Sequence, residues 1–313
     1  MSSTARSNRL SYILTGAPIL AVLVFILFLV LLRRWIKKFQ FKEKVNGYGK
    51  VAIVTGASAG IGKQIAKELN LRQIRVYMMC RNVKKGQQVA EELHKKYGCD
   101  LSRLMVRYGD LSNFSSVRNF AQEFQRGKKA GHFGEQCGMY NHTHFQKTVD
   151  GYEMTWQSNH LGHLLLTELL LPSLVRSESG GRIVVLSSDL HLYADTVDSD
   201  ICNSEEHFKK LSQTYFRTKL ANAMTTVALA NKFASQSGYQ RLTINSCHPG
   251  VVSTSLIKGD FFQKVVRPLF CKNLEGVSGK YFSEGKVSKT HPLVKDLDAC
   301  NELYRVALKE CGL

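Results

Sequence analysis

The stretch Lys50–Gly62, KVAIVTGASAGIG, constrains the fold more than any other part of the chain. A run of β-branched and small apolar residues breaks into a glycine-spaced turn and then into the amphipathic segment KQIAKELNLR, a pattern that reads strand, tight turn, helix. Each glycine has a physical task. Gly56 permits the sharp turn, Gly60 lets backbone approach a pyrophosphate closely, and Gly62 lets the helix pack on the strand. Phosphates would then lie at a helix N-terminus, where unpaired N–H groups and the helix dipole favour negative charge. Ser58, Ala59 and Ile61 complete the cradle. A glycine turn also occurs in ordinary loops, but here it is flanked by the strand and helix that phosphate binding needs.

The N-terminal region is different in kind. Ile13–Leu32 (ILTGAPILAVLVFILFLVLL) carries no charge and matches the ~20 apolar residues a helix needs to cross a bilayer. It predicts one transmembrane anchor, since Arg33, Arg34 and Trp35 follow it where a cleaved signal peptide would have small residues. Arg6 and Arg9 precede the span, whereas Arg33, Arg34, Lys37, Lys38, Lys42 and Lys44 follow it, so the positive-inside rule puts the large domain in the cytosol. The expected organisation is a tail over 1–12, the anchor over 13–32, a basic linker over 33–49 and one domain over 50–313. Residues 1–49 hold eight Lys/Arg and one Glu, so +7 of the formal +18 belongs to this region and +11 to the rest. Part of the basicity therefore reflects topology. The remainder suits an anionic membrane surface or a phosphorylated cofactor; no basic patch with base-reading side chains points to nucleic acid. The composition, 44% hydrophobic and 22% charged, is that of a globular domain. Eight scattered cysteines fit reduced thiols better than a disulfide framework.

Beyond the turn, strand and helix alternate: Arg75–Cys80 as a strand, Val83–Tyr97 as a helix, Leu104–Tyr108 as a third strand, and Phe114–Phe124 as a helix. Such alternation predicts an α/β, Rossmann-type doubly wound parallel sheet with helices on both faces. Arg81 ends the second strand, where dinucleotide folds contact the adenosine ribose. An acid there would bind the 2′-OH, whereas Arg pairs with a 2′-phosphate, so NADP(H) is expected over NAD(H). Lys63, Lys84 and Lys85 point the same way.

The chain resembles the short-chain dehydrogenase/reductase superfamily over nearly its whole length after Lys50. TGASAGIG resembles that family's cofactor turn, and Gly109-Asp110-Leu111 its adenine-side contact. Further on stand NHLGHLLLT at Asn159–Thr167, RIVVLSS at Arg182–Ser188, YFRTK at Tyr215–Lys219 and HPGVVST at His248–Thr254. The NHLGH element, the CRN after the second strand, KYFSEGK near the C-terminus and the N-terminal anchor are most similar to the microsomal retinol dehydrogenase branch. That resemblance implies an oxidoreductase on the endoplasmic reticulum membrane, single-pass and cytosol-facing, acting on a lipophilic alcohol or its aldehyde or ketone. Retinol/retinal is the first candidate. The substrate and membrane lipid are the expected partners, and a homo-oligomer is compatible with the reading.

The chemistry can be stated from the residues. Tyr215 and Lys219 are one turn apart on an expected helix over Thr214–Phe233, so both lie on one face. A nearby ammonium favours tyrosinate and draws a phenol of ordinary pKa ~10 toward working pH. Tyr215 can then exchange a proton with the substrate oxygen. Ser188, at a strand end, would hydrogen-bond that oxygen and so touch substrate. By resemblance Asn159 completes a catalytic tetrad through a water relay, and Pro249, Gly250, Val252 and Thr254 line the nicotinamide side. Tyr215 and Lys219 also touch cofactor in that family. His160 and His163 stand at helical spacing without further ligands and read as packing residues, not a metal site.

Two segments depart from the family pattern. Its fourth strand should end in Asn-Asn-Ala-Gly between Phe124 and Asn159, but this chain has the polar, glycine-rich GKKAGHFGEQCGMYNHTH, a poor central strand. Gly131–Gly138 can be encoded GGA CAT TTT GGT GAA CAA TGC GGG, and read one base later before ATG these codons give Asp-Ile-Leu-Val-Asn-Asn-Ala-Gly. A local frameshift, restored before about Gln146, would account for the substitution. After HPGVVST, FFQKVVRPLF runs through CKNLEGVSG almost directly into Lys280-Tyr281-Phe282, without the helix a parallel crossover needs. Phe261, Phe262, Val265, Val266, Leu269 and Phe270 there form either a substrate entrance or ordinary core. These departures set the competing expectation: a non-catalytic membrane protein of the same fold, or a defective gene model. A last helix is expected over Asp296–Lys309.

Overall fold

The computed structural model describes residues 24–28, 30, 46–127, 144–177, 180–208, 212–250 and 274–313. The chain divides into two units, Met1–Lys42 and Glu43–Leu313. In the first, the described residues 24–28 and 30 are helical with exposed side chains. Among the described residues no helix is long and apolar enough to cross a membrane; most of the expected anchor lies outside them.

The second unit opens with three βα repeats: β1 (Val51–Thr55), α1 (Gly60–Leu71), β2 (Arg75–Cys80), α2 (Val83–Tyr97), β3 (Leu104–Tyr108) and α3 (Phe114–Gly127). β2, α2 and β3 match the boundaries expected from sequence. β1 pairs parallel with β2 and β2 with β3, with Val54 opposite Met78 and Met78 opposite Val106. The burial of Ile53, Val54, Val76 and Met78 is the consequence of helices covering a parallel sheet. α2 shows how local sequence sets its limits: Asn82 accepts from the Lys85 N–H at 2.9 Å at one end, and Gly98 takes φ 74° at the other.

A short helix α4 (Met154–Trp156) runs through a wide π turn (Gln157–Leu161) into α5 (Gly162–Val175). α5 is apolar on nearly every side (GHLLLTELLLPSLV) and buried along most of its length, as a helix inside a domain must be. After it come β4 (Gly181–Leu186), α6 (Ser199–Cys202), α7 (Ser212–Ser235) and β5 (Leu242–Cys247). β6 (Tyr281–Ser283), β7 (Lys286–Val287) and α8 (Leu297–Glu310) finish the chain. β4, β5 and β6 pair in parallel, and β7 returns antiparallel on β6.

Among the described residues the strands form two sheets, β1-β2-β3 and β4-β5-β6-β7, with β1 paired only to β2 and β4 only to β5. The continuous sheet expected from sequence is thus described in two parts. The segment 128–143, which stands where a joining strand is expected, lies outside the described residues. One hydrophobic core nevertheless spans both parts: Ile53 and Met79 share it with Val117, Trp156, Leu165, Ile183, Leu220 and Ile244. Leu165, fully buried there, would cost about 2–5 kcal/mol if cut back to Ala. The architecture is a Rossmann-like parallel sheet with packed helices.

Candidate active site

The glycine turn forms as its residues require. Gly56 (φ 61°) and Gly60 (φ 50°) adopt the left-handed region that favours glycine. A Cβ on Gly62 would stand 2.6 Å from the Gly56 carbonyl oxygen and 2.8 Å from that of Thr55, so a side chain cannot be admitted between α1 and β1. Ala59, the residue before α1, supplies no side-chain cap, and the first turn of α1 holds no acid. Its leading N–H groups therefore suit an anionic ligand. Gly56, Ala59 and Gly60 are exposed, Ser58 and Ile61 half-buried, so the cradle is open to solvent. Arg81 is exposed just past β2, with Lys84 and Lys85 exposed on the first turn of α2. Lys63 instead pairs with Glu92 at 2.6 Å.

Asp110 and Leu111 follow β3. Asp110 folds an Asx turn, accepting from Ser112 N–H at 3.0 Å and Ser112 Oγ at 2.7 Å, while its own N–H donates to Ser116 Oγ at 2.9 Å. Gly162 meets this loop closely: a Cβ there would stand 2.3 Å from the Leu111 carbonyl oxygen. This close approach seats α5 against the loop that follows β3.

Asn159 sits in the π turn, fully buried, and donates from Nδ2 to Thr218 Oγ1 at 3.3 Å. Thr218 in turn donates to the Tyr215 carbonyl at 2.7 Å. Wide turns of this kind re-aim a side chain and recur at functional sites. Lys219 is 2% exposed; its Nζ donates to the Leu186 carbonyl at 3.0 Å and lies 5.3 Å from the centre of the Tyr215 ring. Lys219 also accepts at its own carbonyl from Ser187 Oγ at 2.7 Å. Ser187 is thus committed to α7, and the neighbouring Ser188 is buried. Its hydroxyl accepts from Leu190 N–H at 3.3 Å and caps the turn Asp189–Tyr193. These bonds tie the π turn of Asn159 and the end of β4 to α7, which carries Tyr215 and Lys219; Ser188 follows Ser187 directly in the chain.

Pro249 and Gly250 (φ 89°) follow β5, where Ser187 N–H donates to the Cys247 carbonyl at 2.9 Å. Val252, Thr254 and the apolar run 261–270 lie outside the described residues. Asp189, beside Ser188, accepts from Tyr281 Oη at 2.6 Å and Ser283 Oγ at 3.0 Å. Burial and the Asp189 carboxylate push the Tyr281 phenol up, so it stays a donor.

Two histidines expected only to pack are hydrogen-bonded. His160 Nδ1 meets Asn222 Oδ1 at 3.2 Å, and His163 Nδ1 meets the Asn159 carbonyl at 3.2 Å while its Nε2 meets Thr55 Oγ1 at 3.2 Å. Burial drives the His160 pKa down to about 4; burial, followed by the charge of Lys219, drives His163 down to about 3. Both are neutral at pH 7. Asn222, on α7 one turn beyond Lys219, was invisible as a site residue from sequence: an Asn at that spacing is also an ordinary helix residue.

The short chain dehydrogenase family model matches residues 50–199, which ends before Tyr215. Human retinol dehydrogenase 14 is 33% identical over 301 residues, covering 85% of this chain and 87% of that one. Mouse retinol dehydrogenase 11 is 36% identical over 290 residues (86% and 89%), and bovine retinol dehydrogenase 12 is 32% identical over 312 (92% and 96%). Among solved structures, an uncharacterized protein from Mycobacterium paratuberculosis aligns at TM-score 0.72 and 26% identity, covering 86% of this chain and 95% of that one. A short chain dehydrogenase from Shigella flexneri, complexed with NADP, aligns at TM-score 0.58 and 20% identity, covering 78% and 100%. The chain belongs to the short-chain dehydrogenase/reductase superfamily, on its retinol dehydrogenase-like branch.

Proposed function

We propose that this oxidoreductase is NADP(H)-dependent and interconverts a lipophilic alcohol with its aldehyde or ketone, retinal/retinol being the first candidate. The observation that carries the reading is the buried Lys219 ammonium held 5.3 Å from the centre of the Tyr215 ring, on the helix next to the serine-bearing strand end. The curated relatives named as retinol dehydrogenases support the substrate class.

Residues 56–62 would hold the pyrophosphate, Arg81 the 2′-phosphate, Asp110 and Leu111 the adenine side, and Pro249 and Gly250 the nicotinamide side, with Val252 and Thr254. When bound, the nicotinamide supplies or accepts a hydride. The chain's own residues manage the proton and the geometry. Tyr215 exchanges a proton with the substrate oxygen, Ser188 orients that oxygen by a hydrogen bond, Lys219 favours the tyrosinate, and Asn159 fixes the helix that presents both. An N-terminal anchor over 13–32, with a basic linker over 33–49 and residues 50–313 in the cytosol, would keep the pocket at the endoplasmic reticulum surface, where such substrates partition. Incubating membranes that contain the protein with retinal and NADPH tests the reading; no turnover across retinal, steroid ketones and fatty aldehydes would sink it.

A second reading, a non-catalytic membrane protein of the same fold, rests on the two sequence segments that depart from the family pattern, GKKAGHFGEQCGMYNHTH and the short run from HPGVVST to Lys280. NADPH binding without turnover would support it.

A further inference from the structure

We infer that His163 is a positioning residue that couples the nucleotide-binding turn to the catalytic Asn159, with Asn222 as the second grip on the same backbone group. The inference rests on the oxidoreductase reading above. His163 is 1% exposed, and its two ring nitrogens join segments over a hundred positions apart in sequence. Nδ1 lies 3.2 Å from the Asn159 carbonyl oxygen and Nε2 lies 3.2 Å from Thr55 Oγ1. A carbonyl only accepts, so Nδ1 carries the proton and Nε2 accepts the hydrogen bond donated by the Thr55 hydroxyl. Thr55 is the last residue of β1, directly before Gly56.

Asn222 holds the same carbonyl from the other side. Its Nδ2 donates to the Asn159 oxygen at 3.1 Å and to the Leu186 oxygen at 3.1 Å. The Leu186 oxygen is also the acceptor for Lys219 Nζ at 3.0 Å, so one amide ties the π turn to the carbonyl that seats the lysine. His160 Nδ1, 3.2 Å from Asn222 Oδ1, fixes which way that amide faces. The network spans the end of β1, the π turn, the end of β4 and α7. These are the segments that must keep register for a hydride and a proton to move at the same substrate carbon and oxygen, and small misplacements there are costly. A buried histidine must satisfy both ring nitrogens somewhere; here the acceptor nitrogen meets the residue directly before Gly56 of the glycine turn.

The test uses the full chain in detergent, with retinal and NADPH. Thr55→Val removes the hydroxyl but keeps the shape, and Thr55→Ser restores it. His163→Asn keeps a donor near the Nδ1 position and loses the Thr55 link. In Thr55→Val and His163→Asn, kcat should fall about tenfold or more while NADPH Kd moves by less than about threefold, and Thr55→Ser should recover most of the loss. Equal loss of NADPH affinity and kcat, or no loss of either, overturns the inference. A second readout needs no turnover. In nitrogen-15 histidine spectra, assigned with His163→Asn, His163 should stay neutral with its proton on Nδ1 from about pH 5 to about pH 8. Its Nε2 signal should shift in Thr55→Val and on adding NADPH. A His163 that titrates near its ordinary value, carries its proton on Nε2, or ignores both perturbations overturns the inference even in a chain without activity, whereas a chain without turnover that keeps these signatures refutes only the enzymatic reading.

Discussion

The Lys219 ammonium and the Tyr215 ring lie 5.3 Å apart on one face of α7, and the Leu186 carbonyl, accepting from Lys219 Nζ at 3.0 Å, fixes that approach. Removing the phenol oxygen leaves this scaffold standing. Tyr215→Phe should lower turnover of retinal by about a hundredfold or more and leave the NADPH Kd within about threefold. Fluorescence titration beside a turnover assay separates the two quantities, and residual turnover near the parent's would remove Tyr215 from the acid–base role.

Gly62 packs α1 directly on the carbonyls of Thr55 and Gly56. Gly62→Ala places a methyl group 2.6 Å from backbone that has no room to yield, so the turn must open. NADPH affinity should weaken by about tenfold or more, with a lower melting temperature. Unchanged affinity would mean that the turn is structural only.

Arg81 is exposed at the end of β2, free to meet a 2′-phosphate. A charge-assisted hydrogen bond contributes about 1.5–3 kcal/mol, so Arg81→Ala should weaken NADPH by about tenfold to a hundredfold and leave NADH nearly unchanged. Equal effects on both nucleotides would refute the 2′-phosphate assignment.

His160 and His163 have folded pKa values of about 4 and about 3, below the ordinary ~6.5 of an unfolded chain. Between those limits the unfolded state binds more protons, so stability is full above about pH 6.5 and drains away as pH falls, by roughly 2 kcal/mol apiece at about pH 5. Glu153 and Glu310, raised by burial, act in the opposite direction, because the folded state keeps their protons longer. Melting temperature should drop between pH 7 and pH 5, and the drop should shrink in His160→Gln. A flat profile in the parent would contradict the buried neutral histidines.

Replacing Gly131–Gly138 by Asp-Ile-Leu-Val-Asn-Asn-Ala-Gly should supply a strand able to pair with both β1 and β4, each paired along one edge among the described residues. Burying His132, Glu135 and Gln136 between sheet and helices would instead cost several kcal/mol (order of magnitude) in unpaired polar groups. Soluble yield and NADPH binding should both rise. If neither does, the shortened crossover before Lys280 is the more serious lesion.

Local chemistry determined what could be read from the residues alone. A strand ending in spaced glycines has few conformations open to it, and β2, α2 and β3 follow from short-range periodicity and from caps such as Asn82 and Gly98. Tyr215 and Lys219 share a helix face because four residues span about one turn. Only tertiary structure decided what each polar group meets. Lys63 pairs with Glu92, Ser187 is committed to Lys219, and His163 bridges Thr55 and Asn159. Glu92, Lys219 and Thr55 lie 29 or more positions from Lys63, Ser187 and His163, so periodicity carries no trace of those contacts, and only the bond from His163 to the Asn159 carbonyl is at helical spacing. A buried donor must find an acceptor wherever the packed core brings one within reach.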